Sequence, residues 1–284
     1  MTDAAEHRSP APRRISVKPR EEPATNFYRS VLALLRASHI AFLVGGGYAL
    51  ERYIGIRRPA CDFDVFVLPE DAGQILALFA SHGYTTRLVH RHWLGKIYHR
   101  NHHVDVIFNS GNGIVRVDRA WFDHGVAAHL FDQPVLLCPI EEMIWSKSFV
   151  MERERFDGAD VLHLIRAAGP ELDWERLVAR FGESWRVLLA HLVLFGYAYP
   201  SERSRVPERV LRELVSRLNQ EKDPGAPLCL GTLLSRTQYL PDLARGYQDG
   251  RLVLETMTPE EIARWTAAAN PRRNPRREPA CPRE

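Results

Sequence analysis

Apolar residues recur along this chain with two different periods, and the change between them divides it. Thr25 and Asn26 are both helix-capping residue types. Behind them Phe27, Val31, Leu34 and Leu35 fall at helical spacing, which predicts an amphipathic helix. Residues 40–44 form a continuous apolar run, read as a short strand, that stops at Gly45, Gly46 and Gly47 before a short helix over 48–54. Residues 62–68 alternate acid with bulky apolar side chains and predict a second strand ending at Pro69. The stretch PEDAGQILALFASHG then predicts a helix with acids in its first turn and a glycine at its end. Residues 85–99 and 103–108 read as a hairpin-like pair joined through Arg100, Asn101 and His102, which sets Asp105 in mid-strand. A last apolar run at 135–138 leads through Pro139 into IEEMIWSKSFV, and from there the period is helical. Four further helices are predicted, over 157–167, 173–181, 184–197 and 207–218.

This order predicts an α/β (α+β) fold in which a small mixed sheet flanked by helices is followed by a helical domain. The expected boundaries are a core over 25–139 and a helical domain over 140–269, with unfolded tails at 1–24 and 270–284. Both tails are rich in Pro, Arg and Glu and lack periodicity. No internal repeat is evident.

Composition narrows the class. With 45% hydrophobic and 26% charged residues in 284, the chain can bury a sizeable core and is not disordered as a whole. A net charge of +3 gives no global field of the kind a histone-like nucleic-acid binder carries. Cys61, Cys138, Cys229 and Cys281 form no CxxC pair and no disulfide framework, which fits a reducing, cytoplasmic setting. The N-terminus has no signal-peptide core, and no run approaches the roughly 20 apolar residues a membrane span needs. The most apolar segment, 187–199, carries His191 and reads as a buried helix.

Chemistry concentrates at three places. Side chains alternate across a strand, so Asp62 and Asp64 project from one face about 7 Å apart, with Phe63 and Val65 turned to the core. Asp105, in His103-Val104-Asp105-Val106-Ile107, is a third acid that a neighbouring strand brings within about 5 Å. Three carboxylates so placed make a hard-oxygen site for Mg²⁺ (or Mn²⁺), able to bridge phosphate oxygens. The Gly45-Gly46-Gly47 turn supplies the complement, since glycines let backbone N–H groups approach phosphate at a helix N-terminus. His90, His92, His99, His102 and His103 are dense, but their spacing matches no structural zinc site. They are expected to line a basic, wet groove beside the acids. GxGxxG, GxxxxGK[ST] and protein-kinase patterns are absent.

The run FLVGGGYALERYIGIRRPACDFDVFV resembles the signature of the DNA polymerase β-like nucleotidyltransferase superfamily: two glycines, a helix, then an acid-hydrophobic-acid strand. Gly46, Gly47, Asp62 and Asp64 fall on that pattern, and HVDVIF is similar to the later strand that supplies the third carboxylate, here Asp105. CPIEEMIWSKSFVMERERFDGADVLHL is similar to the corresponding segment of an uncharacterised, antitoxin-like bacterial branch, in which Lys147, Arg153 and Asp157 occupy the lysine, arginine and acid positions. The resemblance covers residues 40–164. Where the family often carries Arg-x-Thr-x-Asp, this chain has Arg58-Pro59-Ala60-Cys61-Asp62, so a threonine hydroxyl near the nucleotide is missing.

The resemblance implies a nucleotidyltransferase core that moves a nucleoside monophosphate from a metal-bound NTP to an acceptor hydroxyl. Asp62, Asp64 and Asp105 would be the metal-binding catalytic acids, with Gly46, Gly47 and Lys147 at phosphate. The acceptor stays open among small molecule, protein and RNA. A non-catalytic nucleotide-binding or antitoxin-like module with a toxin-like protein partner is the alternative reading. A metal-dependent phosphodiesterase is a third.

Overall fold

A computed structural model of the chain describes residues 22–56, 62–222 and 225–269. The expected tails fall almost wholly outside this range, as do Arg58, Pro59, Ala60, Cys61 and Cys281.

Helix α1 (Glu22–Ala37) begins ahead of Thr25 and buries Phe27, Tyr28, Val31, Leu32 and Leu35. The first apolar run contributes only β1 (Leu43–Val44), and α2 (Gly46–Ile54) starts within the glycine triplet itself. Gly55, left-handed at φ 66°, stops α2 as a residue without Cβ does most readily. Strand β2 (Phe63–Phe66) follows, then α3 (Ala72–Ser81), whose acids Glu70 and Asp71 precede its first turn instead of lying in it.

The stretch expected as one long strand is two. β3 (Thr85–His90) and β4 (Leu94–His99) pair antiparallel, and a tight turn at Arg100 and Asn101 then reverses the chain into β5 (His102–Ile107). No residue of β3 is buried, with four of its six exposed and two half-buried, and its apolar Leu88 and Val89 are adjacent, so the segment shows no alternation that would mark this division. After α4 (Arg119–Asp123), a hairpin of β6 (Val126–Leu130) and β7 (Gln133–Leu137) completes the sheet. β6 is Ala-rich and was not visible in the periodicity.

The strand order is β3-β4-β5-β2-β1-β7-β6, with β2–β5 and β1–β7 parallel and the other pairs antiparallel. The sheet is thus mixed and flanked by helices, as the sequence predicts. The helical region follows as α5 (Ile140–Ser148), α6 (Gly158–Ala168), α7 (Trp174–Phe181), α8 (Trp185–Ala198) and α9 (Glu208–Gln220). In α8, His191 is buried and contacts the Ser148 carbonyl at 3.0 Å, while Val193 and Tyr197 face outward. Among the described residues no helix is long and apolar enough to cross a membrane.

One apolar core runs from Phe27 through the sheet to Leu214. Where α5 meets α7, a buried charge cluster replaces apolar packing. Glu142, fully buried, accepts from Arg176 at 2.6 and 2.7 Å and from Arg180 at 3.0 Å, and Arg180 reaches Asp118 at 2.6 Å. Every charge in that cluster has a counter-charge, which is the condition for burying ions at all.

The chain then turns back. β8 (Leu228–Cys229) and β9 (Gln248–Asp249) form a small parallel ladder, with the short helices α10 (Leu240–Leu243) and α11 (Gly250–Val253) and the terminal α12 (Pro259–Ala268) around it. A Thr258/Glu261 capping box starts α12.

Candidate active site

The parallel pairing of β2 with β5 sets Asp64 directly opposite Asp105. Register partners in a sheet share a face about 4.8 Å apart, so both carboxylates stand on the side from which Asp62, two residues earlier, also projects. Asp62, Asp64, Asp105, Gly46, Gly47 and Lys147 all line one cleft of about 360 Å³, which is within the ordinary range for small-molecule sites.

Gly46 is there for two reasons. Its φ of 55° is left-handed, and a Cβ built on it would lie 1.6 Å from Asp64 Oδ2. The Asp64 carboxylate therefore packs directly on the backbone at the start of α2. Burial, followed by the charges of Asp62 and Asp105, pushes the Asp64 carboxyl well above its ordinary range, although Lys147 and Arg155 pull the other way. Asp105 is also raised, chiefly by burial, against the opposing pull of Lys96 and His103.

Lys96 is the departure from the expected site. It stands opposite Asp105 across β4–β5, with its ammonium 3.0 Å from Asp105 Oδ1. The third carboxylate thus already has a cationic partner, whereas among the described residues no ion pair engages Asp62 or Asp64.

Lys147, on α5, reaches the cleft wall, and its ammonium is held by Asp160 at 2.9 Å and Asp157 at 3.3 Å. Arg153 is exposed and does not line the cleft. Arg155 does. It grips Asp157 through Nε at 3.0 Å and Nη2 at 2.8 Å, and its side chain remains 68% exposed toward solvent. Burial pushes the Asp157 carboxyl up, but the Arg155 hydrogen bonds and the Lys147 charge outweigh it and hold that group below the usual range. The Met151–Phe156 bridge closes a tight loop from which Arg155, and not Arg153, borders the cleft.

The histidines divide instead of lining one groove. His90 and His92 pack around Trp93 and Trp265. Burial lowers both, His90 to about 4, so they are neutral near pH 7 and add no positive charge there. His99 and His102 lie beside Phe27 and Tyr84 in a separate groove. His103 alone joins the acids: ligand atoms of Asp62, His103 and Asp105 lie within 4.8 Å of one another.

The far wall comes from the returning C-terminal segment. Trp265 of α12 rests on Gly111, where a Cβ would meet its ring at 2.2 Å, and Arg236 lies 4.4 Å over the same ring. Glu152 ties that wall to the core through Ser235 Oγ at 2.7 Å and Arg236 Nε at 2.7 Å, and Asn112 Nδ2 donates to the Leu233 carbonyl. Burial raises Glu152, but these hydrogen bonds win and keep it ionised. Lys96, Arg155, Trp265 and Arg236 were not legible as site residues, since nothing in their local sequence separates them from solvated charges or core aromatics.

No protein-family profile matches the chain, and no curated protein matches it. Among solved structures, the chain is similar to the antibiotic-resistance factor ANT(2'')-Ia in solution, at 16% identity over 69% of this chain and 92% of that one, with a TM-score of 0.37. It is similar to the lincosamide antibiotic adenylyltransferase LnuA in its lincomycin-bound form, at 13% identity over 51% and 96%, with a TM-score of 0.37. ANT(2'')-Ia in complex with adenylyl-2''-tobramycin aligns at 16% identity over 68% and 98%, with a TM-score of 0.36. With TM-scores below 0.5, these similarities decide neither fold nor function for this chain.

Proposed function

We propose that this protein is a metal-dependent nucleotidyltransferase that moves a nucleoside monophosphate from an NTP to an acceptor hydroxyl and releases pyrophosphate. The observation that carries the reading is the placement of Asp62, Asp64 and Asp105 on one sheet face beside the Gly46-Gly47 start of α2, lining a single cleft, with Asp62 and Asp105 close enough, together with His103, to share an ion.

The donor set fits a divalent ion. Charges at the cleft wall are matched within Arg155, Lys147, Asp157 and Asp160, within Arg236 and Glu152, and between Lys96 and Asp105, which leaves Asp62 and Asp64 as the unmatched pair. Burial, and after it the neighbouring charges of Asp62 and Asp105, hold the Asp64 carboxyl above its ordinary range, a cost that a bound cation would remove. Mg²⁺ or Mn²⁺ held there would neutralise the triphosphate and polarise the α-phosphorus.

The chain's own groups do the rest. Backbone N–H groups of Gly46 and Gly47, at the positive end of α2, hold phosphate oxygens. Arg155 and Lys147 face the same space and oppose the negative charge of the leaving pyrophosphate. The acceptor oxygen forms a bond to the α-phosphorus as the α–β phosphoanhydride bond breaks, and the hydroxyl proton passes to Asp105. Lys96 fixes the Asp105 carboxylate for that task. The C-terminal wall of Trp265 and Arg236 would contact the acceptor, whose identity is left open among small molecules, RNA and protein.

A second reading, a nucleotide-binding or antitoxin-like module without turnover, is favoured by one observation: Lys96 occupies one side of the third carboxylate. Incubation with α-labelled ATP, GTP, CTP and UTP, Mg²⁺ or Mn²⁺, and a panel of hydroxyl acceptors separates the two. Transfer of label with pyrophosphate release, lost in Asp64→Asn, is expected. Saturable NTP binding with no pyrophosphate from any nucleotide or acceptor would select the second reading.

A further inference from the structure

His103 and Asp105 stand two residues apart on β5 and so share a face. The adjacent parallel strand carries Asp62 and Asp64 with the same spacing. Because Phe63 pairs with Val104 and Asp64 with Asp105, the register sets Asp62 beside His103. Of the four side chains that the two strands place on this face, Asp62, His103 and Asp105 bring ligand atoms within 4.8 Å of one another, while the Asp64 carboxylate packs against Gly46. His103 Nε2 lies 3.5 Å from Asp105 Oδ1, and each of the two residues has a ligand atom within 4.8 Å of an Asp62 oxygen. Donors bonded to a common ion at about 2.1 Å lie about 3.0–3.5 Å apart, so His103 and Asp105 already span that distance.

We infer that His103 is a ligand of the divalent ion, and that this nitrogen makes the site prefer Mn²⁺ to Mg²⁺. Mg²⁺ is hard, binds through oxygen and keeps its waters; Mn²⁺ shares those oxygen ligands but, as a first-row transition ion, also accepts an imidazole nitrogen. The electrostatics act in the same direction. Lys96 offsets the charge of Asp105, which weakens a site that relies on carboxylates alone, while a neutral imidazole adds a donor without needing more negative charge. His103 must present Nε2 unprotonated, with the proton on Nδ1. The inference rests on the proposed function only for the location of the metal.

The test uses the full chain with Mn²⁺ as spin probe and no nucleotide. Electron spin-echo modulation of bound Mn²⁺ is expected to show a directly coordinated imidazole ¹⁴N, and Mg²⁺ is expected to compete weakly. Partners of metal ligands in the outer shell are worth about 10–100-fold in affinity, so His103→Gln should cost Mn²⁺ at least about tenfold and abolish the ¹⁴N signal, with Mg²⁺ binding little changed. Mn²⁺ bound without ¹⁴N modulation, or modulation that persists in His103→Gln, overturns the inference. If His103→Gln does not fold, His103→Asn and the wild-type spectrum decide the matter. The ¹⁴N signal without nucleotidyl transfer would leave this site standing and remove the proposed function. Mg²⁺-supported transfer without the signal would do the reverse.

Discussion

The Lys96 ammonium lies 3.0 Å from Asp105 across the antiparallel β4–β5 pair, and both side chains are mostly buried, at 9% and 14% exposed. A cation of the protein itself therefore shares a carboxylate with the proposed metal. The two should compete. In Lys96→Met the metal-free protein is expected to lose about 3 kcal/mol, as when one partner of a buried pair is removed. Its affinity for Mn²⁺ or Mg²⁺ should rise. Urea denaturation with and without metal measures both, and a lower metal affinity in the variant would mean that Lys96 supports the site instead of competing for it.

Gly46→Ala puts a methyl group where Asp64 Oδ2 lies and forces a left-handed φ of 55° on an L-residue. A loss of about 2–3 kcal/mol is expected, with the Asp64 carboxylate displaced and NTP binding lost. Gly73→Ala is the control. It lies inside α3 with open space around it, so the change should be neutral or stabilising by up to about 1 kcal/mol. Equal losses at both positions would refute the close approach of Gly46 to Asp64.

Asp64 has a folded pKa above its unfolded one, so without metal the native state holds the Asp64 proton more tightly than the unfolded chain does. Stability from this group is complete below the unfolded value of 3.8 and is lost as pH rises through the folded value. Asp64→Asn keeps the shape without the charge. The metal-free variant should melt a few degrees above wild type at pH 7–8, about the effect of 1 kcal/mol in a protein of this size, and lose transferase activity. The gap should close toward pH 4. A variant that melts lower than wild type at pH 8 would show that the ionised Asp64 is stabilised in the fold.

Glu142 gathers Arg176 and Arg180 in the joint between α5 and α7. Glu142→Ala removes the fully buried partner of both guanidinium groups, leaving Arg176 with Glu141 and Arg180 with the half-exposed Asp118, and should cost about 3 kcal/mol by chemical denaturation. Arg209→Ala, which removes an exposed partner of Glu175 at 3.4 Å, should cost less than about 1 kcal/mol. Similar costs for the two would mean that burial adds nothing to the Glu142 cluster.

What the sequence determined by itself was local and periodic. Alternation over residues 62–68 put Asp62 and Asp64 on one face and Phe63 and Val65 in the core, and the glycine triplet marked the start of α2. The helical period beyond Pro139 announced α5 to α9 to within a residue or two at most ends. These features depend on neighbours a few positions away, so the order of residues carries them.

The tertiary structure decided which groups meet. Solvent-facing β3, with Leu88 and Val89 side by side, shows no period that would divide it from β4, and the exact turn at Arg100 and Asn101 decides the register that sets Lys96 against Asp105. Only the parallel pairing of β2 with β5 brings His103 beside Asp62, and in the loop closed by Met151 and Phe156 it is Arg155, and not Arg153, that borders the cleft. Trp265 reaches Gly111 from more than 150 positions away. Such contacts follow from strand register and chain return, which are fixed by the summed burial of the whole core and leave no mark in the residues next to those that meet.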